Sequence, residues 1–63
     1  MFIVYGKNRG GEVIFERKFK TFEDALSAFG ELKDTNEYPI IIVRNTKTDR
    51  NVIEYYLQEW AVS

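Results

Sequence analysis

The sequence contains no cysteine and no histidine, and it has only one proline among its 63 residues. Without thiols or imidazoles, the chain cannot form a disulfide framework, a zinc site of the usual ligands or a histidine-activated nucleophile. Its carboxylates indicate no metal site either, because Asp34, Asn36 and Glu37 lack the glycine and the distal glutamate of a calcium loop. We therefore predict a protein that is not an enzyme, holds no metal or cofactor and has no small-molecule substrate.

A strong charge of either sign is also missing, since nine lysines and arginines are offset by ten aspartates and glutamates. This balance provides no broad positive field for a phosphate backbone, so nucleic acid is a disfavoured partner. No segment approaches the roughly 18 apolar residues of a membrane span, and the N-terminus lacks the pattern of a secretion signal. We expect a cytoplasmic protein with no membrane contact.

The length predicts one domain that covers residues 1–63. A core of this size seldom contributes more than about 3–5 kcal/mol, and small proteins compensate with disulfides, metals or a partner chain. With 44% hydrophobic and 16% aromatic residues, the chain is too apolar to remain disordered. Because disulfides and metals are excluded, we predict that the protein forms a homodimer.

Two stretches predict central strands. Residues 40–43 are four consecutive β-branched residues, and residues 2–5 form the only similar run. Successive side chains of a strand point to opposite faces of the sheet, so both faces of these strands need cover. Residues 12–19 and 52–58 instead alternate apolar and charged side chains, which is typical of strands with one exposed side.

Between the strand pairs, the sequence predicts a helix that opens at Thr21 and ends near Asp34. The threonine oxygen can accept a hydrogen bond from an amide of the first turn. Apolar residues recur at the three-and-four spacing of one helical face, at Phe22, Ala25, Leu26, Phe29 and Leu32. Gly30 costs on the order of 1 kcal/mol relative to alanine, and we attribute it to a close approach between helix and sheet.

The order strand, strand, helix, strand, strand predicts an α+β domain, in which one helix packs on one face of a four-stranded, mainly antiparallel sheet. The two strands that are apolar on both sides belong in the centre. This reasoning gives 2-1-3-4 as the preferred strand order, with the first strand ending at Gly6. An order of 1-2-3-4 with a parallel central pair is the alternative.

One helix can cover only one face of this sheet, which leaves the other face to be explained. If Val13 and Phe15 face the helix, Val52 lies on the opposite face with one alternating set from each central strand. Soluble monomers rarely leave such an apolar surface bare. We predict a partner-binding surface made of Ile14, Tyr56, Trp60, Glu12, Glu16 and Glu54. Whether a second copy or a target protein covers it stays open.

A homodimeric nucleic-acid-binding protein is the alternative function. Five basic residues are expected on the hairpin loops, namely Lys7, Arg9, Arg44, Lys47 and Arg50. Aromatic residues such as Tyr5 and Tyr56 could stack on bases from an open sheet. However, antiparallel first and third strands would place the two hairpin tips at opposite ends of the sheet. Glutamates among the aromatic residues would also repel phosphate.

In its size, its lack of cysteine and its layout of strand pair, helix and strand pair, the chain is similar in kind to a class of phage proteins. These are the small accessory proteins that bacteriophages use to inhibit host machinery, including anti-CRISPR and other anti-defence proteins. No residue motif accompanies the likeness, so no site residue is transferred. The likeness implies a protein-binding inhibitor that acts by direct contact on a host defence or nucleic-acid-handling protein.

Overall fold

A computed structural model describes residues 1–57 and contains four strands and one helix in the order ββαββ. The elements are β1 (Phe2–Lys7), β2 (Val13–Phe19), α1 (Phe22–Thr35), β3 (Ile40–Asn45) and β4 (Arg50–Tyr56). Neighbouring strands are antiparallel throughout, and their spatial order is β2-β1-β3-β4. The predicted fold and the preferred strand order are confirmed. Within the described residues, no helix is long and apolar enough to cross a membrane.

Local capping chemistry fixes both ends of α1. The Thr21 hydroxyl accepts a hydrogen bond from the Asp24 backbone N–H at 3.2 Å, which satisfies one free amide of the first turn. At the other end, Asn36 adopts the left-handed conformation with φ 58°, and its N–H donates to the carbonyl of Lys33. The predicted start of the helix is therefore confirmed, and its end lies one residue beyond the prediction.

The hydrophobic core lies between α1 and the two central strands. Val4, Ala25, Ile41 and Val43 are fully buried within it. Partly buried residues packed around them are Phe2, Phe19, Ala28, Phe29, Leu32, Tyr38, Ile53 and Tyr55. The sequence left open which alternating residues of each central strand face the helix, and these buried residues decide it. The side chains of the central strands that point away from the helix are Ile3, Tyr5, Lys7, Ile40, Ile42 and Arg44.

A β-bulge changes the sides assigned to β2. Lys7 pairs with Val13 while Gly6 pairs with Phe15, so Ile14 is an extra residue opposite the end of β1. Val13 consequently lies on the same side as Lys7, away from α1, and it is 48% exposed. The prediction that Val13 faces the helix is therefore wrong, whereas Phe15 does lie on the helix side.

The two glycines inside regular elements have different environments. Gly6 lies within β1, which continues to Lys7, so the prediction that the strand ends at Gly6 is wrong. A Cβ atom at Gly6 would lie 2.6 Å from Cδ1 of Tyr38, whose ring packs against this backbone and lies 5.6 Å from the ring of Phe15. A Cβ atom at Gly30 would meet no atom within 4 Å, so the predicted close approach at that position is also wrong.

Candidate protein-binding face

The side of the sheet opposite to α1 presents three rows of directly paired side chains, and we call it the open face. From β2 to β4, its middle row consists of Glu16, Tyr5, Ile42 and Glu54. The row on the side of the β1–β2 turn, the Lys7 row, consists of Val13, Lys7, Ile40 and Tyr56. The third row, the Arg44 row, consists of Lys18, Ile3, Arg44 and Asn51. The bulge residues of β2 and β4 that complete the face are Ile14 and Val52.

Apolar side chains at the margins of the open face are exposed to solvent. Ile14 on β2 is 55% exposed, and Tyr56 and Val52 on β4 are 46% and 44% exposed. A bulge leaves its extra residue unpaired and bends the strand, which accounts for the exposure of the two aliphatic residues. These margins therefore carry the apolar surface that a partner could cover.

The apolar side chains at the centre of the open face are less exposed to solvent than the sequence predicts. Ile3 and Ile42 are only 9% and 5% exposed, although α1 packs on the other side of the sheet. Long side chains stand directly opposite each of them, such as Arg44 beside Ile3 and Glu54 beside Ile42. Because the stems of such side chains cover apolar neighbours while their charged ends stay in water, the free apolar surface is narrower than expected.

A chain of hydrogen bonds fixes the polar groups at the β4 edge of the open face. The Arg44 guanidinium forms a salt bridge with Asp49 and donates through Nη1 to Oδ1 of Asn51 at 3.1 Å. The Asn51 amide donates in turn to Oε2 of Glu54 at 3.1 Å, and the Tyr56 hydroxyl donates to Oε1 at 3.5 Å. Arg44 and Glu54 are thus held in position before any partner binds.

A shallow depression of about 370 Å³ runs diagonally across the open face. Its lining consists of Tyr5, Lys7, Val13, Ile42, Arg44 and Asn51. Tyr5 and Ile42 belong to the middle row, whereas Lys7 and Arg44 belong to the two outer rows. The depression therefore has an aromatic and aliphatic floor with one cation towards each end.

Most of the predicted partner-binding residues come together on this surface. Those on the open face are Ile14, Glu16, Glu54 and Tyr56. Glu12 does not belong to it, because its N–H donates to Oδ1 of Asn8 and its carbonyl accepts from the Asn8 N–H, which places Glu12 in the β1–β2 turn. Trp60 lies outside the described residues.

The basic residues of the nucleic-acid alternative do not converge. Arg9 lies in the β1–β2 turn, Lys47 lies in the β3–β4 turn, and Arg50 begins β4. These turns are at opposite ends of the sheet, as predicted, because β1 and β3 are antiparallel. The expectation that all five residues lie on loops is wrong for Lys7, Arg44 and Arg50, which are strand residues. Lys7 and Arg44 lie in different rows of the open face.

The predicted partner-binding site omitted several residues of the open face, among them Lys18, Val13 and Asn51. Lys18 alternates with Glu16 along β2, so the period of two residues was a sufficient signal for it. Val13 and Asn51 reach the face only through the two bulges, for which the sequence carries no clear signal.

The described residues show few features of an active site. None of their buried side chains is polar or charged, whereas catalytic groups are commonly buried with perturbed ionisation. Within residues 1–57, no group of three or more aspartates or glutamates is placed to hold a metal ion. The open face is therefore the feature from which a function can be argued.

Comparison with known proteins assigns no family to the chain. It matches no protein-family model, no curated protein and no solved structure at a significant level. Its function is consequently inferred from the residues and surfaces described above.

Proposed function

We propose that the protein is a non-catalytic protein-binding module that acts by direct contact through the open face. The observation that carries this proposal is the set of exposed apolar side chains on the open face, which no helix or strand of residues 1–57 covers. The members of this set are Val13, Ile14, Val52 and Tyr56. Removing apolar surface from water is the main favourable contribution to most protein association, and such surface on a small domain marks a contact site.

The charges of the open face favour a protein partner. Glu16 and Glu54 flank the middle row, while Lys7, Lys18 and Arg44 occupy the outer rows. Protein interfaces commonly combine an apolar interior with charged groups of both signs, which select the partner and its orientation. A nucleic-acid backbone would instead meet two carboxylates at the edges of the middle row, so this alternative is the weaker proposal.

The biological role that we propose is inhibition of a host defence or nucleic-acid-handling protein in the cytoplasm. A small chain without catalytic apparatus can inhibit by occupying a surface that its target needs. The exposed carboxylates of Glu16 and Glu54, at the two edges of the middle row, can pair with basic side chains of a target, which are common on surfaces that bind nucleic acid. The small size and the phage-like layout of the chain support the same role.

Capture from a bacterial lysate tests this proposal. Wild type is expected to retain a protein with and without nuclease treatment, whereas Ile14→Glu and Tyr56→Glu are expected to reduce that capture by about tenfold, because each would bury an unpaired carboxylate in the contact. Leu26→Glu is the matched control, since Leu26 is 44% exposed on α1 on the other side of the sheet. Thermal melts should show that all three variants fold.

Two results would contradict the proposal. If both open-face variants captured as much protein as wild type, or if Leu26→Glu lost as much as they did, the open face would not be the contact surface. If nuclease treatment abolished capture and wild type shifted labelled single-stranded RNA or DNA in a salt-dependent manner, the nucleic-acid alternative would replace it.

A further inference from the structure

We infer that the open face is covered by a second copy of this chain, whose strands cross those of the first at about 70°. The inference rests on the proposed function, because it concerns the same contact surface, which a target would occupy by displacing the second copy. It is carried by the positions of four charged residues in the sheet register, namely Glu16, Glu54, Lys7 and Arg44.

The two carboxylates and the two cations have the same spacing. Glu16 and Glu54 lie at opposite edges of the middle row, three strand spacings or about 14 Å apart. Lys7 lies on β1, and Arg44 lies on the adjacent strand β3. Lys7 is paired with Ile40, and Arg44 lies four residues along β3 from Ile40. The distance between Lys7 and Arg44 is therefore again about 14 Å. The line from Glu16 to Glu54 and the line from Lys7 to Arg44 have the same midpoint, which lies between the two central strands. These two lines cross at about 70°.

This arrangement makes the face complementary to itself. A two-fold axis in the plane of the face, bisecting the two lines, places Glu16 opposite Lys7 of the second copy and Glu54 opposite Arg44. Each contact occurs twice by symmetry, so the dimer contains four pairs of opposite charge. Sheets packed in the aligned manner, at about 30°, would instead bring the carboxylates of both copies close together. The charges therefore select the near-orthogonal packing.

A second bisecting axis also pairs the charges, but its other contacts are less favourable. It would place Lys18 against Lys18 of the second copy, whereas the first axis places Lys18 beside Tyr56, where a cation can rest over an aromatic ring. The first axis also brings Ile14 against its own counterpart. We therefore assign the contacts of Glu16 with Lys7, and of Glu54 with Arg44, to the dimer.

The size of the face predicts a weak but specific dimer. Four strands about 4.8 Å apart and three rows about 6.8 Å apart give a face of about 400 Å², so two copies together bury roughly 800 Å². This area is below that of standard specific interfaces, so we expect a weak dimer and place its Kd in the micromolar range. Because hydrogen bonds with Asn51 already fix Arg44 and Glu54, little side-chain order is lost on binding.

Mixing two single variants tests the pairing between copies. Glu16→Lys and Lys7→Glu each place like charges opposite one another, so each variant alone is expected to dimerise at least tenfold more weakly than wild type. In an equimolar mixture, a dimer can form from one chain of each variant. In this mixed dimer, both contacts between position 16 of one chain and position 7 of the other join opposite charges. The mixture is therefore expected to regain a Kd within about threefold of wild type in sedimentation equilibrium. A charge pair within one chain cannot produce this recovery.

Matched controls for the charge changes lie away from the face. Glu31→Lys on the exposed side of α1 and Lys47→Glu in the β3–β4 turn should each leave the Kd within about twofold of wild type. A mixture that associates no more tightly than the separate variants would overturn the inference, as would a wild-type chain that stays monomeric.

The mixing test can fail independently of the proposed function. A monomeric wild type whose capture of a target still depends on Ile14 and Tyr56 would overturn the second-copy inference and leave the proposed function standing. If the mixture recovered dimerisation while target capture did not depend on Ile14 or Tyr56, the dimer would be established. The proposed contact between the open face and a target would then be excluded.

Discussion

Replacing Ile41 with alanine is expected to lower the free energy of unfolding by about 2–5 kcal/mol, the usual cost of truncating a buried isoleucine. Ile41 is fully buried at the centre of β3 and packs with Val4, Ala25 and Val43 beneath α1. A domain of this size has only about 3–5 kcal/mol of stability from its core, so Ile41→Ala should retain at most about 3 kcal/mol and unfold at a much lower urea concentration than wild type.

Urea unfolding followed by circular dichroism measures this loss, and Ile14→Ala is the matched control. Both substitutions remove the same atoms, but Ile14 is 55% exposed and should cost less than about 1 kcal/mol. The comparison belongs at submicromolar concentration, below the Kd proposed for the dimer, so that the two residues report on folding alone. Equal losses in the two variants would mean that the core does not lie between α1 and the central strands.

The second large effect is expected from Gly6→Ala, which should destabilise the fold by about 1–3 kcal/mol. The added methyl group would lie 2.6 Å from Cδ1 of Tyr38, closer than carbon atoms can approach. The ring has little room to move, because it packs near Phe15 and because Pro39 restricts the backbone of the preceding residue. Thermal or urea unfolding of the variant measures the cost.

Two further variants separate this clash from a general effect of the substitution. Gly30→Ala makes the same change inside α1, where no atom lies within 4 Å of the new carbon, and it should stabilise the protein by about 0.5–1 kcal/mol. In a Tyr38→Ala background, Gly6→Ala should lose most of its cost. A penalty that persists without the Tyr38 ring would show that the ring is not its cause.

Much of the fold could be predicted because its signals are local. The four β-branched residues at 40–43 require cover on both faces, which identifies β3 as a central strand, and the run at 2–5 does the same for β1. The order β2-β1-β3-β4 follows from placing these two strands inside. Thr21 marks the start of α1 through a side chain that caps its own first turn.

The incorrect predictions concern positions where the structure depends on residues far away in the sequence or on an extra residue within a strand. One extra residue in a strand reverses the sides of the residues beyond it, so the bulge at Ile14 moved Val13 to the open face. Gly6 resembled a strand end, but its role depends on Tyr38, which lies 32 positions later in the chain. The burial of Ile42 depends on neighbours in other strands, which the sequence alone does not align.

The candidate site was predicted in part. The alternation of β2 and β4 correctly placed Glu16 and Glu54 on the face away from the helix. The two cations that complete its charge pattern, Lys7 and Arg44, were expected on loops because each stands next to turn-forming residues. Their register partners show that each lies inside the sheet, and register is a property of paired strands rather than of one segment.

Sedimentation velocity of wild type beside Ile14→Glu, at micromolar concentrations, tests most directly whether the open face is a contact surface. The account predicts that wild type sediments at twice the 7.5 kDa chain mass and that the folded Ile14→Glu variant sediments as a single chain, because position 14 meets its own counterpart in the dimer and two carboxylates would repel each other there. A folded wild type that remains at 7.5 kDa throughout and binds no hydrophobic dye would contradict the account, because its open face would then offer nothing for a partner to cover.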